Sequence, residues 1–423
     1  MRFFLRTTCL TTITNKGAKI MLNIAVFFGG KSVEHDVSIV TAQQMIQNAD
    51  KTKYNIIPVY ITRDGDWFSG EKLADIKAFE HFDKGDKDVT RVYIPANTKV
   101  KQLYRFNEKK GLFGRENTFY AKIDAAILAM HGLNGEDGTL QGVLELAGIP
   151  YTSSGVLGSA AGMDKILMKA AFLGAGLPVL PYIYFDRGEF KKSPDKFIAE
   201  SEEKLGYPVF VKPSNLGSSI GITKAHNREE LKNAIEVASN YDRRILIEKG
   251  IDKPKEINCS GFGFGDEIAA SVCEMPYTSE EFLTFGEKYL NGEKHQASME
   301  ALSRRIPAPI PDEMTKRIQD MTKEIFRLLD CKGVVRIDYI CTSDLSELYV
   351  NEINTIPGSF AFYLWEPLGI PYPQLIDKLI EIAISASEEK KHNNFAFDSE
   401  IVAKFAKGSQ KSGKFGFGKT GKI

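Results

Sequence analysis

Two apolar runs in the last third of the chain carry charged side chains where buried strands normally have none. The first reads Val335-Arg336-Ile337-Asp338-Tyr339, and a dozen residues later comes Asn351-Glu352-Ile353-Asn354-Thr355-Ile356-Pro357-Gly358. Strand side chains alternate between faces, so Arg336 shares a face with Asp338, and Glu352 shares one with Asn354. As neighbouring strands, the two runs would aim all four groups at one point. Two carboxylates and an amide carbonyl, without sulfur or imidazole, suit a hard cation of the Mg²⁺ type that also leans on phosphate oxygens. Arg336 would face the same anion. A hairpin with a surface Arg-Glu pair is the competing reading of this segment taken alone.

At 423 residues the chain exceeds one ordinary domain, and roughly 100–200 residues per domain predicts two to four. Its 55 basic and 55 acidic side chains cancel, so no global field points to nucleic acid. Cys9, Cys259, Cys273, Cys331 and Cys341 are scattered and lack metal-type spacing, so they read as buried thiols in a reducing, cytoplasmic setting. No apolar run approaches the ~20 residues that span a bilayer. Residues 1–20 are basic and threonine-rich, with an apolar part too short and interrupted for a targeting peptide, so they read as a dispensable extension or an upstream start. After Glu400 there are six lysines and no acid; that stretch reads as a flexible tail unable to fold alone, with an anionic partner as the other option.

The chemistry-bearing segments fall along an α/β and α+β pattern. A buried strand over 23–28, closed by Gly29-Gly30 and followed by a helix, opens a doubly wound α/β unit, with further strands at 54–61 and 125–130. Residues 84–118 read as an insertion or edge hairpin. A turn-rich break near Tyr151 leads into one helix over 159–174. Paired strands with helices to one side follow, then strands at 245–248, 256–261 and 268–272 and the opening pair, and a helix over 372–386. The predicted divisions are an N-terminal extension (1–20), an N-terminal α/β substrate domain (21–152), a central domain (153–243), a C-terminal catalytic domain (244–390) and a tail (391–423).

Several loops between these elements are rich in glycine and small polar residues. Val211-Lys212-Pro213-Ser214-Asn215-Leu216-Gly217-Ser218-Ser219 ends a strand in a loop whose amides can wrap phosphate, with Lys212 at its base, although it is not a P-loop. Lys165 offers a second cation. Glu248 to Ile251 and Glu256 can serve a purine and a ribose, or form a polar hairpin rim. His131 and Glu34 lie in loops at the ligand-facing end of the first sheet, where helix capping competes for Ser32 and Asp36.

Taken in order, these segments resemble the D-alanine:D-alanine ligases of the ATP-grasp superfamily. The resemblance covers roughly residues 21–386 and rests on FGGKSVEHDVS (28–38), HGLNGEDGTLQG (131–142), GIPYTSSGVLGSAAGMDK (148–165), VKPSNLGSSIG (211–221), GEKY (286–289), RID (336–338) and NEINTIPG (351–358). It implies an ATP-grasp fold of three domains and ATP-dependent joining of two D-alanines through an acyl phosphate, for peptidoglycan precursors. By the same resemblance Lys165, Lys212 and the Gly217-Ser218-Ser219 loop hold nucleotide phosphates. Glu248, Lys249 and the backbone of Ile251 frame adenine, and Glu256 takes the ribose. Asp338, Glu352 and Asn354 bind two Mg²⁺, with Mn²⁺ as a substitute. Glu34 receives the first ammonium and joins Ser218 and Tyr289 in closing the site, and Lys288 reaches the transferring phosphate. Arg336 and the Gly358 amide stabilise the oxyanion, and His131 sits near the first amino acid. The implied partners are amino acids and a second copy of the chain, with neither nucleic acid nor membrane.

One stretch departs from the family. After NTIPG a short serine-containing segment normally follows, and that serine helps bind the acceptor's carboxylate. In this chain Ser359-Phe360-Ala361-Phe362-Tyr363-Leu364-Trp365-Glu366-Pro367 stands there, with Tyr363 at the serine position. Phe285 likewise replaces a common tyrosine. The departure predicts a reshaped, more aromatic acceptor pocket. It leaves open a relative that uses another acceptor and, in a different class, a nucleotide-binding protein without turnover.

Overall fold

The computed structural model describes residues 21–106, 118–276, 304–394 and 401–409. Residues 1–20, Lys288 and Tyr289 lie outside them. Three sheets are present among the described residues.

The first sheet runs β6-β5-β4-β3-β2-β1-β7. Its strands are β1 (Leu22–Gly29), β2 (Tyr54–Ile61), β3 (Trp67–Ser69), β4 (Thr90–Tyr93), β5 (Gln102–Arg105), β6 (Phe119–Lys122) and β7 (Ala125–Leu128). Only β2, β1 and β7 are parallel, while β3 to β6 form an antiparallel ladder. Residues 84–118, read as an insertion or edge hairpin, thus supply β4 and β5 of this ladder. The continuous apolar run of β1 reflects burial on both faces, under α1 (His35–Asn48). Gly29 and Gly30 turn the chain from β1 toward α1 at φ +89° and +93°, values that L side chains rarely adopt.

After α2 (Thr139–Ala147) the predicted single helix is two: α3 (Val156–Met163) and α4 (Lys165–Gly174). The break lies at Asp164, whose extended backbone stops α3 while its carboxylate accepts the Leu167 amide and caps α4. That break places Lys165 at the start of α4.

The second sheet is antiparallel in the order β10-β9-β11-β8. It comprises β8 (Tyr182–Asp186), β9 (Val209–Pro213), β10 (Thr223–Ala225) and β11 (Arg244–Lys249), with α5 (Arg187–Lys192), α6 (Pro194–Lys204) and α7 (Arg228–Tyr241) between them. The third sheet runs β14-β13-β12-β15-β16. Its strands are β12 (Lys255–Phe264), β13 (Glu267–Pro276), β14 (Arg304–Arg305), β15 (Gly333–Cys341) and β16 (Leu348–Asn354). The amphipathic α8 (Asp312–Leu328), which the sequence reading passed over, packs Ile318, Ile325 and Phe326 into the core beneath this sheet. Cys259, Cys273, Cys331 and Cys341 are buried free thiols in that region.

The chain leaves β16 through Pro357 into a 3₁₀ turn over Gly358–Leu364, then reaches α9 (Tyr372–Lys390). A further helix, α10 (Ile401–Ser409), lies in the segment expected to be a flexible tail. Its alanines and lysines favour helix, and Ile401, Val402 and Phe405 are exposed on it.

Ile337 has no exposed surface at the centre of β15. Ile337→Ala is expected to lower stability by about 2–5 kcal/mol, seen as a reduced urea midpoint at unchanged slope.

Candidate active site

A polar row crosses the third sheet. Register sets Glu274 on β13 opposite Asn258 on β12, Asn258 opposite Asp338 on β15, and Asp338 opposite Glu352 on β16. A parallel row joins Ser260, Arg336 and Asn354. Directly opposed residues share a face, so the four groups singled out by alternation do meet. Arg336 clasps Asp338 with two bonds, Nε to Oδ1 at 2.6 Å and Nη2 to Oδ2 at 2.8 Å, and Asn354 Nδ2 donates to Asp338 Oδ2 at 3.0 Å. Both carboxylate side chains keep some exposure, 13% for Asp338 and 25% for Glu352. The donors are all oxygen and fit a hard cation. Among the described residues no group of three or more His, Cys, Asp or Glu is placed to hold a metal ion, so a cation at this pair would draw further oxygens from substrate phosphate and water.

Facing this row is a group of ammonium ions. Lys165 Nζ donates to the Leu216 carbonyl at 2.8 Å and lies 3.4 Å from Glu352. Lys212 on β9 lies 2.5 Å from Glu248 on β11 and 3.3 Å from Asn351 Oδ1. Lys169, one turn beyond Lys165 on α4, pairs with the other Glu248 oxygen. Burial alone would raise the Glu248 carboxyl; the Lys169 and Lys212 charges reverse this and hold it below the usual range. Glu248 is therefore enclosed between two lysines, with its side chain 1% exposed. Three ammonium groups against two carboxylates leave an excess of positive charge, suited to an anion. Lys169 went unrecognised in the sequence, although its i, i+4 spacing from Lys165 was visible there.

The loop after β9 carries Ser218 and Ser219 at φ +51° and +61°, a left-handed pair of non-glycine residues. Ser218 donates its hydroxyl proton to Glu34, which precedes α1 and is 5% exposed. A Cβ on Gly217 would stand 2.6 Å from Glu34 Oε2, and one on Gly132 would stand 2.7 Å from it, so both glycines are needed for the approach. Local capping falls to Ser32, whose Oγ accepts the Glu34 amide at 3.1 Å, while the Glu34 side chain makes no cap bond.

His131 ties this end to the turn after β16. Its Nδ1 donates to the Ile356 carbonyl at 3.1 Å, and Nε2 accepts from the Thr41 hydroxyl at 2.8 Å. Burial pushes its pKa down to about 4. Glu136, not anticipated as a site residue, accepts the Gly132 and Ile356 amides, each at 2.9 Å. Burial, then the Glu34 charge, raises its carboxyl to about 8.

On the far side of the row, Tyr363 donates its hydroxyl to Glu274 Oε1 at 3.0 Å, and the Arg304 guanidinium lies 4.2 Å over its ring. Phe360 and Trp365 are core residues, the indole N–H donating to Ser260 Oγ at 3.0 Å. The aromatic replacement therefore serves packing at those two positions, while Tyr363 reaches the buried carboxylate at the end of the polar row. Gly358 opens the 3₁₀ turn. Glu256 stands on the same face of β12 as Asn258. Lys249 ends β11, its amide bonded to the Pro181 carbonyl at 2.9 Å, with Ile251 two residues beyond.

A nucleotide-grasping architecture, with an antiparallel sheet and a glycine-serine loop set against an acid-bearing sheet, is the class these features define. The family model described as D-ala D-ala ligase N-terminus matches residues 23–154, and that of the D-ala D-ala ligase C-terminus matches 171–381. D-alanine--D-alanine ligase of Thermosipho africanus is 36% identical over 381 residues, 90% of this chain and 98% of its own. That of Acetivibrio thermocellus is 40% identical over 368 residues, 85% of this chain and 95% of its own. Among solved structures, the D-alanine-D-alanine ligase from Coxiella burnetii aligns at TM-score 0.70 and 27% identity, covering 91% of this chain and 99% of that one. VanG D-Ala:D-Ser ligase from Enterococcus faecalis aligns at 0.71 and 34% identity, covering 86% and 100%. The chain belongs to the D-alanine–D-alanine ligase family, ATP-dependent ligases with the ATP-grasp fold.

The two buried titrating groups act on stability with opposite signs. His131, lowered from 6.5 to about 4, contributes stability that is present above pH 6.5 and lost as pH falls through 4. Glu136, raised from 4.5 to about 8, contributes stability that is present below pH 4.5 and lost as pH rises through 8. Nitrogen NMR of the ring is expected to show neutral His131 in the Nδ1–H form down to about pH 4. In His131→Asn, the stability loss of the wild type between pH 6.5 and 4 should shrink.

Proposed function

We propose that the chain activates the carboxylate of one D-alanine with ATP and joins it to the amine of a second, forming D-alanyl-D-alanine for the cell wall. The observation that carries this reading is the convergence of Arg336, Asp338, Glu352 and Asn354 opposite Lys165 and Lys212. A carboxylate is a poor acyl donor. Transfer of a phosphoryl group to its oxygen creates a leaving group that departs when the amine attacks and loses its proton. The barrier then depends on charge neutralisation and alignment.

Each residue has an assigned part. Asp338, Glu352 and Asn354 would hold two Mg²⁺, or Mn²⁺ in their place, which would supply positive charge to the phosphates. Lys165, Lys212 and the Gly217-Ser218-Ser219 loop hold the phosphates, with Lys288 at the group in transfer. Lys249 and the Ile251 backbone frame adenine, Glu248 acts there through the lysines it fixes, and Glu256 binds the ribose. Glu34 receives the donor's ammonium, with His131 beside it and Ser218 and Tyr289 completing the enclosure against water. Arg336 and the Gly358 amide stabilise the oxyanion. Tyr363 belongs to the acceptor side.

A second acceptor amino acid is the alternative reading. Tyr363 at the serine position favours it. ADP release with D-alanine alone, then with D-alanine plus a panel of second amino acids, separates the two when the dipeptide is identified by mass. D-alanyl-D-alanine from D-alanine alone supports the main reading, and turnover only with another acceptor replaces it.

Glu352→Ala and Asp338→Asn are each expected to lower turnover by about 100-fold or more, with the fold retained by circular dichroism. Among the described residues no helix is long and apolar enough to cross a membrane, and we place the reaction in the cytoplasm. Exposed Leu146, Val156 and Leu157 on the neighbouring helices α2 and α3 support a homodimer, which light scattering would register as twice the chain mass.

A further inference from the structure

The polar row does not stop at the metal-type acids. Beyond Asn258 it continues to Glu274, a carboxylate 2% exposed and held on three sides. Asn258 Nδ2 donates to Glu274 Oε1 at 3.0 Å, the Tyr363 hydroxyl donates to the same oxygen at 3.0 Å, and Arg304 Nη1 donates to Oε2 at 3.2 Å. β14 pairs with β13 so that Arg304 opposes Pro276, two residues past Glu274, which puts both side chains on the face that carries Asp338.

This cluster holds more hydrogen-bonding capacity than its internal bonds use. Among the described residues Glu274 is Arg304's only hydrogen-bond partner, which leaves most of a guanidinium's five N–H groups for something else. The guanidinium carbon lies 4.2 Å from the centroid of the Tyr363 ring, a cation–π contact that helps hold the group before any ligand arrives. Asn258 is 7% exposed, and its Oδ1 has no donor among the described residues. The opposite amide orientation would lose the bond to Glu274, so the assignment is firm. Glu274 and Tyr363 both act electrostatically on Arg336, so the cluster adjoins the group assigned to the oxyanion.

Resting on the ligase reading above, we infer that Arg304 binds the α-carboxylate of the acceptor amino acid, with Glu274 and Tyr363 as positioning residues. Tyr363 then replaces a serine contact indirectly, by presenting a guanidinium. An arginine takes both carboxylate oxygens at once, a stronger recognition than one hydroxyl provides. The acceptor's amine, before it loses its proton, finds Asn258 Oδ1 on the same face.

The test is competition between D-alanine and D-alaninamide as acceptors at equal concentration, with products counted by mass. The amide lacks the carboxylate and cannot serve as donor. Wild-type enzyme should favour D-alanine strongly, and Arg304→Met should reduce that preference by about 10–100-fold while the KM for ATP stays within about two-fold. Removing Arg304 leaves Glu274 buried without its cation, so the paired variant Glu274→Gln with Arg304→Gln is measured beside it. Tyr363→Phe, which keeps the ring but not the hydroxyl, should raise the acceptor KM with little change in kcat. An undiminished preference in both folded Arg304 variants would overturn the inference and leave Arg304 as a brace. Absence of both products from the wild type would overturn the ligase reading with it.

Discussion

The antiparallel register between β15 and β16 is the constraint on which the site depends. It sets Asp338 against Glu352 and Arg336 against Asn354, while Ile337 and Ile353 point into the core. A slip of one residue would bury the acids and expose the isoleucines, so the hydrophobic core itself enforces the geometry of the polar face. The pairing is interrupted once, between Asp338 and Tyr339, where β16 carries the extra residue Asn351. That bulge returns Val350 to the core side opposite Tyr339 and lets Asn351 meet Lys212 from the second sheet.

Electrostatics then holds the second sheet to its task. Glu248 fixes Lys212 and Lys169 in a nearly dry setting, where losing one partner of a buried pair costs about 3–5 kcal/mol. The pairing with Glu248 holds both lysine side chains in place, so an incoming anion meets groups that need no reorganisation. At the other end, Glu34 reaches Ser218 only because Gly217 and Gly132 carry no side chain.

The turn after β16 shows how a departure in sequence can be absorbed. Ser359, Phe360 and Ala361 all take left-handed backbone angles, a conformation costing about 1–2 kcal/mol per residue. Burial of Phe360 and the Ser359 hydroxyl bond to Gln44 Oε1 at 2.5 Å offset that cost. Trp365, locked by Phe262 and Ser260, anchors the end of the turn. Packing therefore places Tyr363 beside Glu274, and the aromatic character of the segment belongs mostly to the core.

Much of this was legible in the chain itself, because strand alternation and short motif spacing are local properties. Alternation alone put Arg336 with Asp338 and Glu352 with Asn354, and the glycine-serine loop was recognisable from its composition. The break at Asp164 and the amphipathic α8 were missed, the first because a cap can stand inside a continuous helical pattern. The roles of Lys169, Glu136, Glu274 and Arg304 were missed for another reason. Each takes its meaning from a partner far along the chain: Glu248 for Lys169, Ile356 for Glu136, Tyr363 for Glu274 and Arg304. The sequence by itself determined which side chains share a face, since that follows from the geometry of one strand. Which faces meet, and which buried charges neutralise one another, only the tertiary structure decided, because those pairings arise from packing between segments that no local period connects.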